Sequence, residues 1–273
     1  MKRPALLAFL LAILLVPAFS FQPALAQDRI RLSTTTSTEN SGLLKALLPA
    51  FQASTGTTVD VIAVGTGKAL ELAKNGDVDV ALVHARALED KFVAEGWGVD
   101  RRDVMYNDFL VVGPPADPAR IRGSHDVIDA FRRIAAASVK FISRGDNSGT
   151  DVMEKGYWQQ AGARPQGSNY VAAGLGMGEV LNMAAEMRAY TLTDRATYSA
   201  YKARTGLAIL VEGDRRMHNP YGIIAVNPAR HRGVNYQGAK QLIAWITSTE
   251  GQRRIAGFRP DGEQLFFAPA PGK

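Results

Sequence analysis

The stretch IRLSTTTSTENSGLLKALLPAF, residues 30–51, decides how the chain folds. It opens on a short strand-like run, Ile30 to Ser33, and turns through the hydroxyl residues Ser33 to Thr38. It then enters a segment whose Leu43, Leu44, Leu47, Leu48 and Phe51 share one face of a helix. Strand, polar turn and amphipathic helix in that order form the repeating unit of an α/β protein. Asn40 or Ser41 is the expected N-cap, with Gly42 just inside the helix.

The unit recurs outward from there. Strands are expected at Thr58–Val64, Val78–Val83, Asp108–Val112, Val139–Ile142, Tyr190–Leu192 and Tyr221–Val226. Helices are expected at Lys68–Lys74, Leu88–Glu95, Asp126–Ala136, after Gly149, and at Glu179–Arg188, Tyr236–Thr247 and Thr249–Ala256. Two stretches interrupt the alternation, Gly113-Pro114-Pro115-Ala116-Asp117-Pro118 and His218-Asn219-Pro220, because proline continues neither a helix nor a ladder. They suggest a first α/β lobe made of residues 27–112 with 220–273, and a second of residues 113–219. The return of the last segment to the first lobe is an expectation from architecture.

Residues 1–26 read as a secretory leader: Lys2 and Arg3, an apolar run from Leu6 to Val16, and Ala24-Leu25-Ala26 before Gln27. The run is shorter than the roughly 18 residues a spanning helix needs. Without Lys2 and Arg3 the formal charge falls from +6 to +4. The basic residues are scattered or in short pairs, which argues against a nucleic-acid track, while a mild positive field would attract anions. There is no cysteine, which removes disulfides, thiolate metal sites, thiol catalysis and a lipid-attachment cysteine. A freely diffusing periplasmic monomer is the expectation.

Three strand-to-helix junctions carry hydrogen-bond donors. The first is Ser33 to Thr38, and the second is Gly65-Thr66-Gly67-Lys68. The third is Ser143-Arg144-Gly145-Asp146-Asn147-Ser148-Gly149-Thr150. A tetrahedral dianion presents only acceptors, so hydroxyls, helix-start N–H groups and one guanidinium suit it. The second junction fails the P-loop pattern at Ile62 and Ala69, and the dinucleotide pattern at Leu70. Gly174-Leu175-Gly176-Met177-Gly178 is either a fourth anion turn or a connector. His84, His125, His218 and His231 show no metal-ligand spacing, and Ser148 sits one place late for a nucleophile elbow. No histidine or paired carboxylate in the three junctions offers a hydrolase its base.

The ordered set Thr34-Thr35-Thr36-Ser37, Ser41-Gly42-Leu43-Leu44, Val64-Gly65-Thr66-Gly67, Met105-Tyr106-Asn107-Asp108-Phe109 and Ser143 to Thr150 resembles the tungstate-binding component of bacterial ABC importers. Asn182-Met183-Ala184-Ala185-Glu186, Thr191-Leu192-Thr193-Asp194-Arg195 and Asn219-Pro220-Tyr221 extend the likeness over nearly all of the chain after residue 26. The resemblance implies a two-lobed, class II-like periplasmic solute-binding fold with the ligand in the cleft. It also implies tungstate, or else molybdate, as ligand, a membrane permease as partner, and neither cofactor nor enzymatic activity. Carried over by motif, the contacts would be Thr35, Thr36, Ser37, Thr66, Arg144, Ser148 and Thr150. Asn147 replaces a common Asp, and Gly222 a common hydroxyl residue. Composition alone does not separate tungstate from molybdate, and Asp146 keeps phosphate open by offering an acceptor to a protonated anion.

Overall fold

The structure, a computed structural model, describes residues 29–260 and 262–269, so the expected leader at 1–26 lies outside the described residues. The chain begins with β1 (Arg29–Thr35), α1 (Thr36–Asn40), α2 (Leu43–Thr55), β2 (Thr58–Val64) and α3 (Thr66–Asn75). β3 (Val80–Val83), α4 (Arg86–Ala94) and the long β4 (Gly98–Gly113) follow. Next come α5 (Val127–Ala136), β5 (Phe141–Ser143), α6 (Gly149–Ala161), β6 (Tyr170–Ala172) and α7 (Met177–Glu186). β7 (Thr191–Asp194), α8 (Arg195–Thr205) and β8 (Ala208–Val211) lead to β9 (His218–Val226), α9 (Tyr236–Ile246) and α10 (Thr249–Gly257).

The main sheet runs β2-β1-β3-β9-β4-β7, with β8 also pairing β4, while β5 and β6 form a small parallel pair. β1 is parallel to β2 and β3, as strand-helix-strand units require, and β9 returns antiparallel to β3 and β4. Buried apolar side chains fall into two groups on either side of the middle of β4. Val104 and Met105 pack with Ile30, Leu44, Phe51, Tyr221, Ile223, and Leu242 and Ile243 of α9. Phe109 and Val111 pack instead with Val127, Phe131, Phe141 and Trp158. Leu110 and Val112 pack with Ile142, Val180 and Leu181 on the other face. Ile246 of α9 and Ile255 of α10 lie in the first group as well.

The structure corrects three local expectations. First, β4 runs without a break from Gly98 to Gly113, so residues 109–112 pack with the second group rather than the first. The change of core falls at Asn107 and Asp108. Second, Pro220 lies inside β9 and does not stop it. The N–H and C=O of Tyr106, opposite Pro220, bond to Phe267 and so point away from β9. That makes Tyr106–Pro220 a non-hydrogen-bonded pair, in which a missing N–H removes no ladder bond. Third, the helix expected after Ser41 is α2, but its cap position is Gly42 at φ +78° rather than Asn40 or Ser41, and a further short helix, α1, capped by Thr35, precedes it. The polar helix α8 escaped the periodicity, because only Ala196, Thr197 and Ser199 on it are buried.

Candidate functional site

The three donor junctions, far apart in sequence, meet where the two packing groups touch. The Thr66 hydroxyl, at the start of α3, accepts the Gly149 N–H at 3.2 Å, joining the second junction to the start of α6. Gly65 and Gly67 face the third junction: a Cβ at Gly65 would lie 3.4 Å from Asp146 Oδ2 and one at Gly67 3.6 Å from the Asn147 carbonyl, both ordinary contact distances. Arg144 Nη2 reaches Thr36 Oγ1 at 3.5 Å and so ties the third junction to the first. The Gly174 N–H donates to the Arg144 carbonyl at 2.8 Å, and Thr36 Oγ1 would lie 3.6 Å from a Cβ at Gly176. The glycine turn before α7 is thus a fourth wall of the same site.

The loop from Arg144 to Thr150 is held by two carboxylates. Asp151, fully buried, accepts the Gly145 N–H at 3.1 Å, the Asn147 N–H at 3.0 Å and Lys155 Nζ at 2.6 Å. Asp146 accepts Arg144 Nη2 at 2.5 Å and the Ser148 N–H at 3.1 Å, one on each oxygen. Ser148 caps α6 by accepting the Asp151 N–H at 3.2 Å. Arg144 therefore does brace the turn through Asp146, and it has donors to spare. It is only 2% exposed, yet Nε and Nη1 have no partner, and neither does the buried Thr150 Oγ1. Uncompensated burial of such donors costs on the order of 1–3 kcal/mol each. Three of them on one loop, beside a helix start, suit an anionic ligand.

Of the residues singled out from sequence, Thr36, Thr66, Arg144, Ser148 and Thr150 lie on the loops and helix starts that meet here. Thr35 and Ser37 are engaged with each other and with the first junction's own groups. The Thr35 hydroxyl accepts the Thr38 N–H at 3.2 Å as cap of α1, and lies 3.0 Å from Ser37 Oγ. Beneath them is His84, which sequence reasoning set aside. Its Nε2 is 3.0 Å from Ser37 Oγ and 3.2 Å from Thr35 Oγ1, and its Nδ1 is 3.0 Å from Asn219 Oδ1. The signal that could have found it is its place directly after β3, a fourth strand-to-helix junction in the same sheet. Among the described residues no group of three His, Cys, Asp or Glu side chains could hold a metal ion.

Burial pushes His84 down to about 4; the nearby Asp194 charge opposes this shift and the Arg144 charge adds to it. Thr35 and Ser37 from the first junction, Asn219 and Tyr221 from β9, Phe109 from β4 and Gly149 from α6 also face the ring. The unfolded chain titrates His84 near 6.5, so between about 6.5 and 4 it binds the proton that the folded chain refuses. The stabilisation is whole above that window and lost as pH falls through it, amounting to roughly 2 kcal/mol by about pH 5. Melting curves should show His84→Gln losing less stability than the parent between pH 7 and 5. Parallel losses would mean that His84 is not the group responsible.

A family model for the PBP superfamily domain matches residues 22–250. The tungstate-binding protein TupA of Peptoclostridium acidaminophilum is 48% identical over 246 residues, covering 89% of this chain and 85% of that protein. This chain belongs to the tungstate-binding protein family of the PBP superfamily. Among solved structures, a tungstate ABC transporter protein from Geobacter sulfurreducens is 54% identical, with a TM-score of 0.80 over 85% of this chain and all of that one. The tungstate-binding protein TupA from Desulfovibrio alaskensis G20 is 44% identical, with a TM-score of 0.75 over 89% of this chain and all of that one. The mixed α/β architecture is thus that of a PBP superfamily fold.

Proposed function

We propose that this protein captures tungstate, with molybdate as the alternative, and hands it to the membrane permease of an ABC importer without chemical turnover. The observation that carries this reading is the set of buried donors without partners, Arg144 Nε and Nη1 and Thr150 Oγ1, on a junction that is tied to Thr36 through Arg144 and to Thr66 through Gly149. The names of the relatives support the choice of ligand. Three hydrogen bonds to a charged partner at about 1.5–3 kcal/mol each reach the range of a micromolar site, before ordering costs and non-additivity.

Asp146 weighs against phosphate. Each of its oxygens already takes a donor of this chain, Arg144 Nη2 and the Ser148 N–H, which leaves it a weaker acceptor for the proton of hydrogenphosphate. A site made of donors favours fully deprotonated dianions. The change of core at Asn107 and Asp108 in β4, with its counterpart at Asn219 in β9, would serve as the hinge between two lobes that close on the anion. Cleavage of a leader after Ala26 and residence in the periplasm as a monomer complete the proposal.

Titration calorimetry with tungstate, molybdate, sulfate and hydrogenphosphate tests it. Binding of one anion per chain is expected for tungstate or molybdate, with hydrogenphosphate at least about a hundredfold weaker, a gap of roughly 2.7 kcal/mol. Preferential binding of hydrogenphosphate would overturn the ligand assignment, and silence toward all four anions would overturn the function.

A further inference from the structure

We propose that His84 is a positioning residue for anion capture: as the neutral Nδ1–H tautomer it terminates a buried chain of hydroxyls and anchors the anion-binding turn to the two crossing strands. The proposal rests on the oxyanion reading of the site given above.

The geometry fixes the tautomer of the ring. Asn219 Nδ2 donates to Asn107 Oδ1 at 2.7 Å, which turns the Asn219 carbonyl oxygen toward His84 Nδ1 at 3.0 Å. A carbonyl oxygen only accepts, so Nδ1 carries the proton and Nε2 is left as an acceptor. Three hydroxyls line up behind it, with Thr38 Oγ1 to Thr35 Oγ1 at 2.7 Å, Thr35 Oγ1 to Ser37 Oγ at 3.0 Å, and Ser37 Oγ to His84 Nε2 at 3.0 Å. Nε2 also lies 3.2 Å from Thr35 Oγ1, and with a bare Nε2 as the terminal acceptor the protons of Thr35 and Ser37 both stay within this cluster. Thr36, beside Arg144, is then the hydroxyl this turn turns toward the anion.

The anchor is also where the two packing groups meet. Asn107 and Asn219 face each other across β4 and β9, at the point where β4 changes core. The ring stacks on Tyr221 at 4.7 Å between centroids. On the other side, a Cβ at Gly149 would come within 2.6 Å of the His84 carbonyl and 3.1 Å of Nδ1. The start of α6, which bears Ser148 and Thr150, is seated directly on His84. One side chain thus sets the spacing between the Thr36 turn, the Arg144 loop and the crossing strands.

Two measurements test this. Long-range 1H–15N correlation on uniformly labelled, ligand-free protein near pH 7 should show His84, assigned by its loss in His84→Gln, with a protonated Nδ1 and a bare Nε2. In Asn219→Ala the other tautomer should appear. An Nε2–H or doubly protonated ring in the parent protein would overturn the proposal. In tungstate titrations His84→Phe should bind at least about tenfold more weakly, while His84→Gln, whose amide oxygen can accept in place of Nε2, stays within about threefold of the parent. Equal losses in both variants, or a folded His84→Phe that binds like the parent, would also overturn it. A parent protein indifferent to tungstate and molybdate refutes the function itself, whereas the tautomer measurement judges the hydroxyl chain alone.

Discussion

Arg144→Ala is expected to weaken tungstate binding by about tenfold to a hundredfold, on the order of 1.4–3 kcal/mol. Arg144 is 2% exposed and holds two donors without partners, so its charge acts on the anion with little screening by water. At about 4 Å and an effective dielectric near 20, a guanidinium contributes roughly −4 kcal/mol per unit of anion charge before its own desolvation. Removing it also strips Asp146, whose side chain is 17% exposed, of its ion pair and leaves a carboxylate beside the incoming dianion. Arg144→Lys should recover only part of the affinity, because an ammonium keeps the charge and loses the planar fork that serves Asp146 and the ligand together. Thr150→Ala should cost about one hydrogen bond to a charged group, roughly 1.5–3 kcal/mol, since it removes a single donor. Dissociation constant and apo melting temperature should be measured on one preparation of each variant. A well-folded Arg144→Ala protein with parental affinity would reduce Arg144 to a brace for its loop and sink the site assignment.

Asp151→Ala should produce the largest loss of stability among single changes at the site. The carboxylate is fully buried and gathers the N–H groups of Gly145 and Asn147 together with the ammonium of Lys155. Alanine leaves two loop amides without an acceptor, and charge-assisted bonds are worth about 1.5–3 kcal/mol each. A loss of roughly 3 kcal/mol is expected, which lowers the melting temperature by about 6–12 °C in a chain of this size. Affinity should fall as well, because the same loop presents Arg144 and Ser148 to the anion. Asp151→Asn keeps one acceptor oxygen and should fall between the two. Scanning calorimetry on the three proteins decides the matter, and a melting point within a degree of the parent for Asp151→Ala would show that the loop is held by other means.

Much of the fold was legible because the relevant patterns are local. The apolar spacing of Leu43, Leu44, Leu47 and Phe51 marks a buried helix face wherever it occurs, and the hydroxyl run at Ser33 to Thr38 marks a turn with donors. β4 was recognised only at its end. The charged run Asp100-Arg101-Arg102-Asp103 in its first half looks like loop until β9 is laid beside it. Likewise Pro220 signals a break in any local reading, and only the pairing of Tyr106 with Phe267 shows that its missing N–H has no ladder bond to make.

The sequence by itself determined the unit of construction and the chemistry on offer: strand, donor-rich turn and helix, with Thr36, Thr66, Arg144, Ser148 and Thr150 at the turns. Spacing of three to four residues on a helix and two on a strand encodes those features within a few neighbours. Which donors stay uncommitted was decided by the tertiary structure alone. Ser37 lies 47 positions from His84, His84 lies 135 from Asn219, and Asn219 lies 112 from Asn107. No local pattern links them. The polar groups of a buried site are apportioned by contacts between distant segments, so the structure separates the hydroxyls bound to His84 from the donors left to Arg144 and Thr150.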